Sequence, residues 1–256
     1  CMLVTIPTTA GTGAEATCGM MVTNPDLKDV CLVASYDAVA DYAILDPDAT
    51  ASLPKRLLAW TAMDALGQSI EAYTSSLKND FSDGHALISI RLVFEWLRRA
   101  YENPKNAEAR LRLQNAACLS GLAVGNAPGG LAHALAYAFC PLFDFHHGRA
   151  VGIVLPYVME FNSLDRNCRL MYAEIAHYVG IDAGKSKKIR CLISNVRELA
   201  RAVGLPASMR RAGISKARWK SAMERMVHRT LEHGILKNRR PFDSEDATEI
   251  LWRVWN

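Results

Sequence analysis

The sequence predicts a mainly α chain, in which α/β material over residues 1–50 leads into an all-helical region over 51–256. Three observations carry this expectation. Strand-like β-branched runs are confined to residues 1–50. From residue 51 onward, Ala, Leu, Arg and Glu recur with helical periodicity. Breakers then divide that region at Asn79-Asp80, Asn103-Pro104, Pro128-Gly129, Pro141, Gly204, Gly213 and Pro241.

Taken in order, MLVTIP (2–7) is the first strand candidate. Thr12-Gly-Ala-Glu15 has the spacing of a capping box and predicts a short helical or irregular segment. MMVTN (20–24), CLVAS (31–35) and YAILD (42–46) are strand-like and separated by turn-forming residues. Helices are predicted over 54–75, 80–101, 106–125, 128–139, 147–161, 166–178, 187–203, 214–227 and 243–255, with Ser244 as the N-cap of the last. The chain opens directly in an apolar run, and a strand of that composition needs neighbours on both sides. This predicts that a natural N-terminal part precedes residue 1.

Half of the 256 residues are hydrophobic, enough for a sizeable core. The net charge of +4 is mild, and the basic runs 185–190, 209–211 and 237–240 lack interleaved aromatics. They read as solvated faces, with no nucleic-acid partner expected. Seven scattered cysteines without a CxxC pair argue for free thiols in a reducing compartment. No apolar run reaches the ~18 residues of a membrane span, and VGIVLPYVMEF (151–161) suits a buried helix. No membrane partner is expected, and the expected location is cytoplasmic.

Three segments bear on chemistry. In IPTTAGTGAEAT (6–17), a strand runs into a loop with Gly11 and Gly13, and its N–H groups suit an anion. By itself the segment reads more simply as an ordinary strand-to-helix turn, and it is not a GxGxxG fingerprint. In the helix 54–75, Asp64, Gln68 and Glu71 stand at i, i+4 and i+7 and share one face. By itself that stripe predicts a solvent-facing polar surface. In the third segment, His133 lies in an apolar helix and His146-His147 begin the next one. Helices joined by a short loop pack side by side, so His133 and His147 are placed to converge. An Asp from a third helix would complete a three-ligand set with an open position, as a catalytic divalent metal requires.

Together, IPTTAGTGAEAT, ILDPDATASLPKRLLAWTAMDALGQSIEAYTS (44–75) and GNAPGGLAHALAYAFCPLFDFHHGRAVGIVLPYVMEFN (125–162) resemble the iron-containing (group III) alcohol dehydrogenase family of the dehydroquinate synthase-like superfamily. The resemblance extends over essentially the whole chain. It implies an α/β domain that binds NAD or NADP, of which 1–50 is a remnant. It also implies a helical domain, 51–256, that holds a divalent metal, Fe or Zn. The metal positions fall on Asp64, Gln68, His133 and His147. The threonine-rich cofactor segment falls on Thr8, Thr9, Gly11 and Thr12, and Thr50 and Leu53 match positions lining the nucleotide pocket. The implied activity is hydride transfer between a small alcohol or aldehyde and NAD(P), with a homodimer suggested. This 256-residue chain alone is expected to be inactive.

The chain departs from the family pattern at several points. Gln68 replaces a histidine ligand, and Tyr137 replaces the second histidine of an HxxxH run. Ala62, Leu58 and Gly125 replace a glycine, a threonine and a serine, and Val30 aligns loosely with a cofactor-contacting lysine. Gln68 would give a weaker neutral oxygen ligand or hydrogen-bond a bound water, and an amide oxygen suits harder cations. Tyr137 reads as packing more than as a proton-transfer group. Two rival expectations stand beside the dehydrogenase: a degenerate homologue with a structural role, and a non-redox metal enzyme on the same scaffold.

Overall fold

In the computed structural model, which describes residues 2–24, 26, 29–184, 186–233 and 238–256, the strand-like runs form only short pairs. Cys1, Lys185 and Lys237, which belong to the cysteine and basic-run expectations, lie outside the described residues. β1 (Val4–Thr5) pairs in parallel with β4 (Tyr42–Ala43). β2 (Gly19–Asn24) and β3 (Asp29–Ala34) form a separate antiparallel hairpin in which Gly19 faces Ala34. The predicted runs 2–7 and 42–46 are therefore mostly unpaired, and Met2, Val4, Ile6 and Tyr42 are exposed.

The Thr12 capping box does not form. Gly13 adopts the left-handed conformation (φ 62°) ahead of a 3-10 turn, Ala14–Ala16, with no side-chain cap. The reason is packing. A Cβ on Gly13 would run into the Ala117 carbonyl and the Gly121 backbone, so segment and helix meet main chain to main chain. Gln114 on that helix also donates to the carbonyls of Pro7 (3.3 Å) and Asp46 (3.0 Å), tying this N-terminal layer down.

The helical region follows the predicted order. Its helices are α1 (Lys55–Thr74), α2 (Asp80–Glu102), α3 (Ala107–Asn126), α4 (Leu131–Phe143), α5 (His147–Asn162), α6 (Arg166–Tyr178), α7 (Lys188–Ala202), α8 (Lys216–Glu232) and α9 (Ser244–Trp255). Three boundaries differ from expectation. α4 starts after Gly129-Gly130 and runs through Pro141, because its stop is Asp144 in the left-handed conformation (φ 51°), whose N–H reaches the Cys140 carbonyl. α8 continues to Glu232 rather than 227. The last helix is capped by Asp243, in a reciprocal box with Asp246, not by Ser244.

α1 is the axis of the fold, packing on α2, α3, α4, α5 and α6. Every residue from Ala62 to Thr74 is buried. The solvent-facing stripe expected for Asp64, Gln68 and Glu71 is thus overturned, because neighbours cover the whole circumference. Buried polar groups need partners. Ser69 Oγ lies 2.8 Å from both the Ala65 carbonyl and Ser89 Oγ, and Thr74 Oγ1 donates to the Ile70 carbonyl at 2.9 Å.

α5 comes closest to α1 along a seam of glycines. A Cβ on Gly67 would strike Val151, and one on Gly148 would strike the Trp60 carbonyl and sit 3.2 Å from Asp64 Cβ. Further out, Trp219 of α8 is fully buried and stacks on Phe143 of α4 at 5.4 Å. Among the described residues, no helix is long and apolar enough to cross a membrane.

One basic run is not a solvated face. Arg239 donates to the carbonyls of Thr74 (3.3 Å) and Ser75 (2.6 Å) at the end of α1. Arg240 donates to the Phe161 carbonyl (2.7 Å) and lies over the Phe161 ring. They staple the last turns of two core helices.

The seam makes a prediction. Gly148→Ala should destabilise the chain by about 1–3 kcal/mol, since a backbone carbonyl cannot turn aside. Gly84→Ala in α2, where an added Cβ meets nothing within 4 Å, should stabilise it by about 0.5–1 kcal/mol. Urea unfolding of both variants checks the contrast.

Candidate metal centre

α1 brings Asp64 to the junction of α4 and α5, where the glycine seam lets His147, the first residue of α5, approach. His133 faces the same point from the first turn of α4. Asp64 Oδ1 lies 3.5 Å from His133 Nε2 and 3.5 Å from His147 Nε2. The three ligand atoms fall within 4.8 Å of one another. Asp64 and His133 are buried, and His147 is partly so.

Asp64 Oδ1 and His133 Nε2 have no hydrogen-bond partner, although both are fully enclosed. A separation of 3.5 Å is long for a hydrogen bond. It is close to the ~3.4 Å between two donors that each sit ~2.1 Å from one tetrahedral ion. Two imidazoles and a carboxylate are also a donor set that Zn or Fe accepts. The residues present therefore fit a divalent cation.

Other groups brace these three. Glu71 Oε2 makes a short contact with His133 Nδ1, and Glu71 Oε1 accepts the Ala132 N–H at 2.6 Å. The Tyr137 ring lies flat against His147, with centroids 4.6 Å apart and planes 8° apart. His146, the preceding residue, turns away and packs on Trp60. Gln68 is buried, and its Oε1 accepts from Ser120 Oγ at 2.8 Å.

The electrostatics follow from burial and partners. Burial alone would lower the His133 pKa, but Glu71 and Asp64 outweigh it and push it up to about 10. Burial pulls His147 down to about 4, with Asp64 offsetting only part. Burial opposes ionisation of Asp64, yet His147 and His133 hold its carboxyl below the usual range. Burial also raises the Tyr137 phenol.

A cavity of about 1170 Å³ opens beside the triad. Gln68, His133, Tyr137 and His147 lie along it, and Thr12, Met20, Met21 and Val30 face them from the N-terminal layer. Of the residues matched to a cofactor segment, only Thr12 borders this cavity. Thr8 and Thr9 are exposed, and Gly11 is buried with its Cα hydrogens against Thr61. Thr50 is buried, with its hydroxyl on the Pro47 carbonyl at 3.0 Å, and Leu53 packs against the core. Glu71, Ser120 and Asn238 are absent from the sequence-based site: the spacing put Glu71 on the face of Asp64 and Gln68 without showing its partners on α4, and no local spacing signals Ser120 or Asn238.

Two family models match the chain. The model of the Fe-containing alcohol dehydrogenase family, C-terminal, matches residues 58–255, and that of iron-containing alcohol dehydrogenase matches residues 1–47. The NADPH-dependent butanol dehydrogenase of Clostridium saccharobutylicum is 32% identical over 98% of this chain and 64% of its own length. Long-chain-alcohol dehydrogenase 1 of Geobacillus thermodenitrificans is 35% identical over 95% of this chain and 60% of its own length. The solved alcohol dehydrogenase from Oenococcus oeni superposes with a TM-score of 0.92 at 29% identity, over 99% of this chain and 66% of that one. The chain thus spans less than two thirds of the length of these two curated relatives.

The histidine shifts predict how the metal-free chain responds to pH. His133, raised from 6.5, contributes stability that is complete below pH 6.5 and fades as pH rises toward about 10. His147, lowered from 6.5, costs stability as pH falls from 6.5 toward about 4, where the unfolded chain takes up a proton first. The melting temperature should therefore decline on both sides of neutrality. His133→Asn should flatten the alkaline arm and His147→Asn the acid arm, as scanning calorimetry would show. Unchanged arms in both variants would contradict the assignment.

Proposed function

The chain belongs to the iron-containing alcohol dehydrogenase family, and from that premise we propose that it forms the metal-holding part of an NAD(P)-dependent enzyme interconverting a small alcohol and its aldehyde. The observation that carries this reading is the buried, unpartnered Asp64 Oδ1 facing His133 Nε2 and His147 Nε2. Its relatives include a butanol and a long-chain-alcohol dehydrogenase.

In this reading Asp64, His133 and His147 hold a divalent ion, Fe or Zn. When bound, such an ion supplies Lewis acidity toward an alcohol or carbonyl oxygen. The protein's own groups do the rest. Tyr137 keeps the His147 ring from turning. Gln68 borders the site as a weaker neutral oxygen ligand or a hydrogen-bond partner of bound water, its amide oxygen lying 2.8 Å from Ser120 Oγ. Met20, Met21, Val30 and Phe143 give the cavity a largely apolar wall that excludes water around the reacting carbon. Thr8, Thr9, Gly11 and Thr12 form the cofactor-facing segment, with Thr12 nearest the reacting region. Thr50 and Leu53 contribute by shaping the turn beside it. Residues 1–50 thus serve the cofactor side and 51–256 the metal side.

Metal-free protein loaded anaerobically with Fe(II) or Zn(II) should retain an equimolar amount, and Asp64→Asn should retain little. Gln68→His should tighten binding by adding a stronger donor. Metal taken up only by the Gln68→His variant would favour the degenerate-homologue reading. Taken by itself, the 256-residue chain should show no micromolar NADH binding by fluorescence. Supplied with the N-terminal cofactor-binding part of one of these relatives, it should oxidise NADH or NADPH with simple aldehydes.

A further inference from the structure

We propose that Glu71 is the positioning residue of this centre: its carboxylate decides which nitrogen of His133 faces Asp64. The inference rests on the reading of Asp64, His133 and His147 as metal ligands. Glu71 is 3% exposed and lies two turns along α1 from Asp64. Both of its oxygens are used on the first turn of α4. Oε1 accepts the Ala132 N–H, and Oε2 meets His133 Nδ1. The N–H groups of a first helical turn lack partners within the helix, and a carboxylate there is favoured by the helix dipole.

The consequence for His133 is chemical. An ionised carboxylate only accepts hydrogen bonds, so the nitrogen it touches must carry the hydrogen. Nδ1 is thereby fixed as N–H, and Nε2 is the nitrogen that gives up its proton to an incoming cation and offers its lone pair. Nε2 is also the nitrogen 3.5 Å from Asp64 Oδ1. A partner of this kind on the far side of a ligating imidazole fixes its tautomer, its orientation and its basicity.

The surroundings are built to admit the carboxylate. A Cβ on Gly130 would lie 3.0 Å from Glu71 Oε1 and 2.9 Å from Asn238 Oδ1, and one on Gly129 would lie 3.4 Å from Glu71 Oε2. Asn238 Oδ1 accepts the neighbouring N–H of Leu131 at 3.4 Å. Asn238 is itself locked by reciprocal amide bonds with Asn162, at 3.0 and 2.9 Å. Two successive N–H groups of α4 are thus held from outside the helix, which fixes the backbone that carries His133.

The test compares Zn(II) affinity by competition calorimetry for the parent chain, Glu71→Gln, Glu71→Ala, Gly130→Ala and Asp64→Asn. Glu71→Gln keeps the size but can accept at only one end, so it should bind Zn about 10–100-fold more weakly, with unchanged circular dichroism. Gly130→Ala, which crowds Glu71 and leaves every ligand in place, should also weaken binding. A purely structural role would not alter the ring. In zinc-loaded, histidine-labelled protein, the Nδ1–H signal of His133 seen by nitrogen NMR in the parent should therefore shift or vanish in Glu71→Gln. Should Glu71→Ala fail to fold, the other two variants carry the comparison. If Glu71→Gln and Gly130→Ala bind within twofold of the parent while Asp64→Asn does not bind, the positioning role is overturned. If Asp64→Asn binds as tightly as the parent, the ligand reading itself fails and the role of Glu71 falls with it.

Discussion

The architecture turns on a helix that water cannot reach. From Ala62 to Thr74, α1 has no exposed side, so each polar group it carries must be answered inside the protein. Ser69 and Thr74 are answered by the carbonyls one turn back, Gln68 by Ser120, and Glu71 by the start of α4. Asp64 Oδ1 is the exception. An isolated carboxylate oxygen in that position is costly, and the two imidazoles turned toward it are what make it tolerable. Of the polar side chains along this buried stretch, Asp64 alone has an enclosed oxygen without a hydrogen-bond partner.

Much of this was legible in the sequence, and the gaps have physical causes. The helical order emerged from periodicity and breakers, because long helices repeat their apolar positions over many turns. The convergence of His133 and His147 was legible because a short loop forces adjacent helices together. The burial of Asp64, Gln68 and Glu71 was not. Their spacing on one face is the same whether that face meets water or five other helices, and only tertiary packing separates the cases. Pro141 misled for a related reason: proline ends a helix only when nothing else holds it, and here Asp144 supplies the stop one turn later. Arg239 and Arg240 look like a charged surface run. They act instead as donors to helix-end carbonyls, a role that depends on residues about 80 and 165 positions away.

Gln68 shows how a departure from a family pattern is absorbed. An amide buried at this point needs partners of its own, and Ser120 on α3 provides one. Removing that partner would leave a buried polar group exposed to the full desolvation penalty of about 1–3 kcal/mol. The Gln68–Ser120 pair therefore fastens α1 to α3 as well as bordering the cavity. Tyr137 is similar. Its ring fills space against His147 and His133, and its phenol, raised by burial, keeps its proton at neutral pH.

The Asn238–Asn162 pair has a consequence for how the protein is made. Asp64, His133 and His147 all leave the ribosome well before Asn238, whose amide holds the first turn of α4 from 107 residues downstream of Leu131. Contacts of such long sequence separation form late, because the intervening loop must close first. During synthesis these three side chains thus exist for a time without the brace that fixes α4. The arrangement of Asp64, His133 and His147 is therefore completed only once Asn238 has joined the chain.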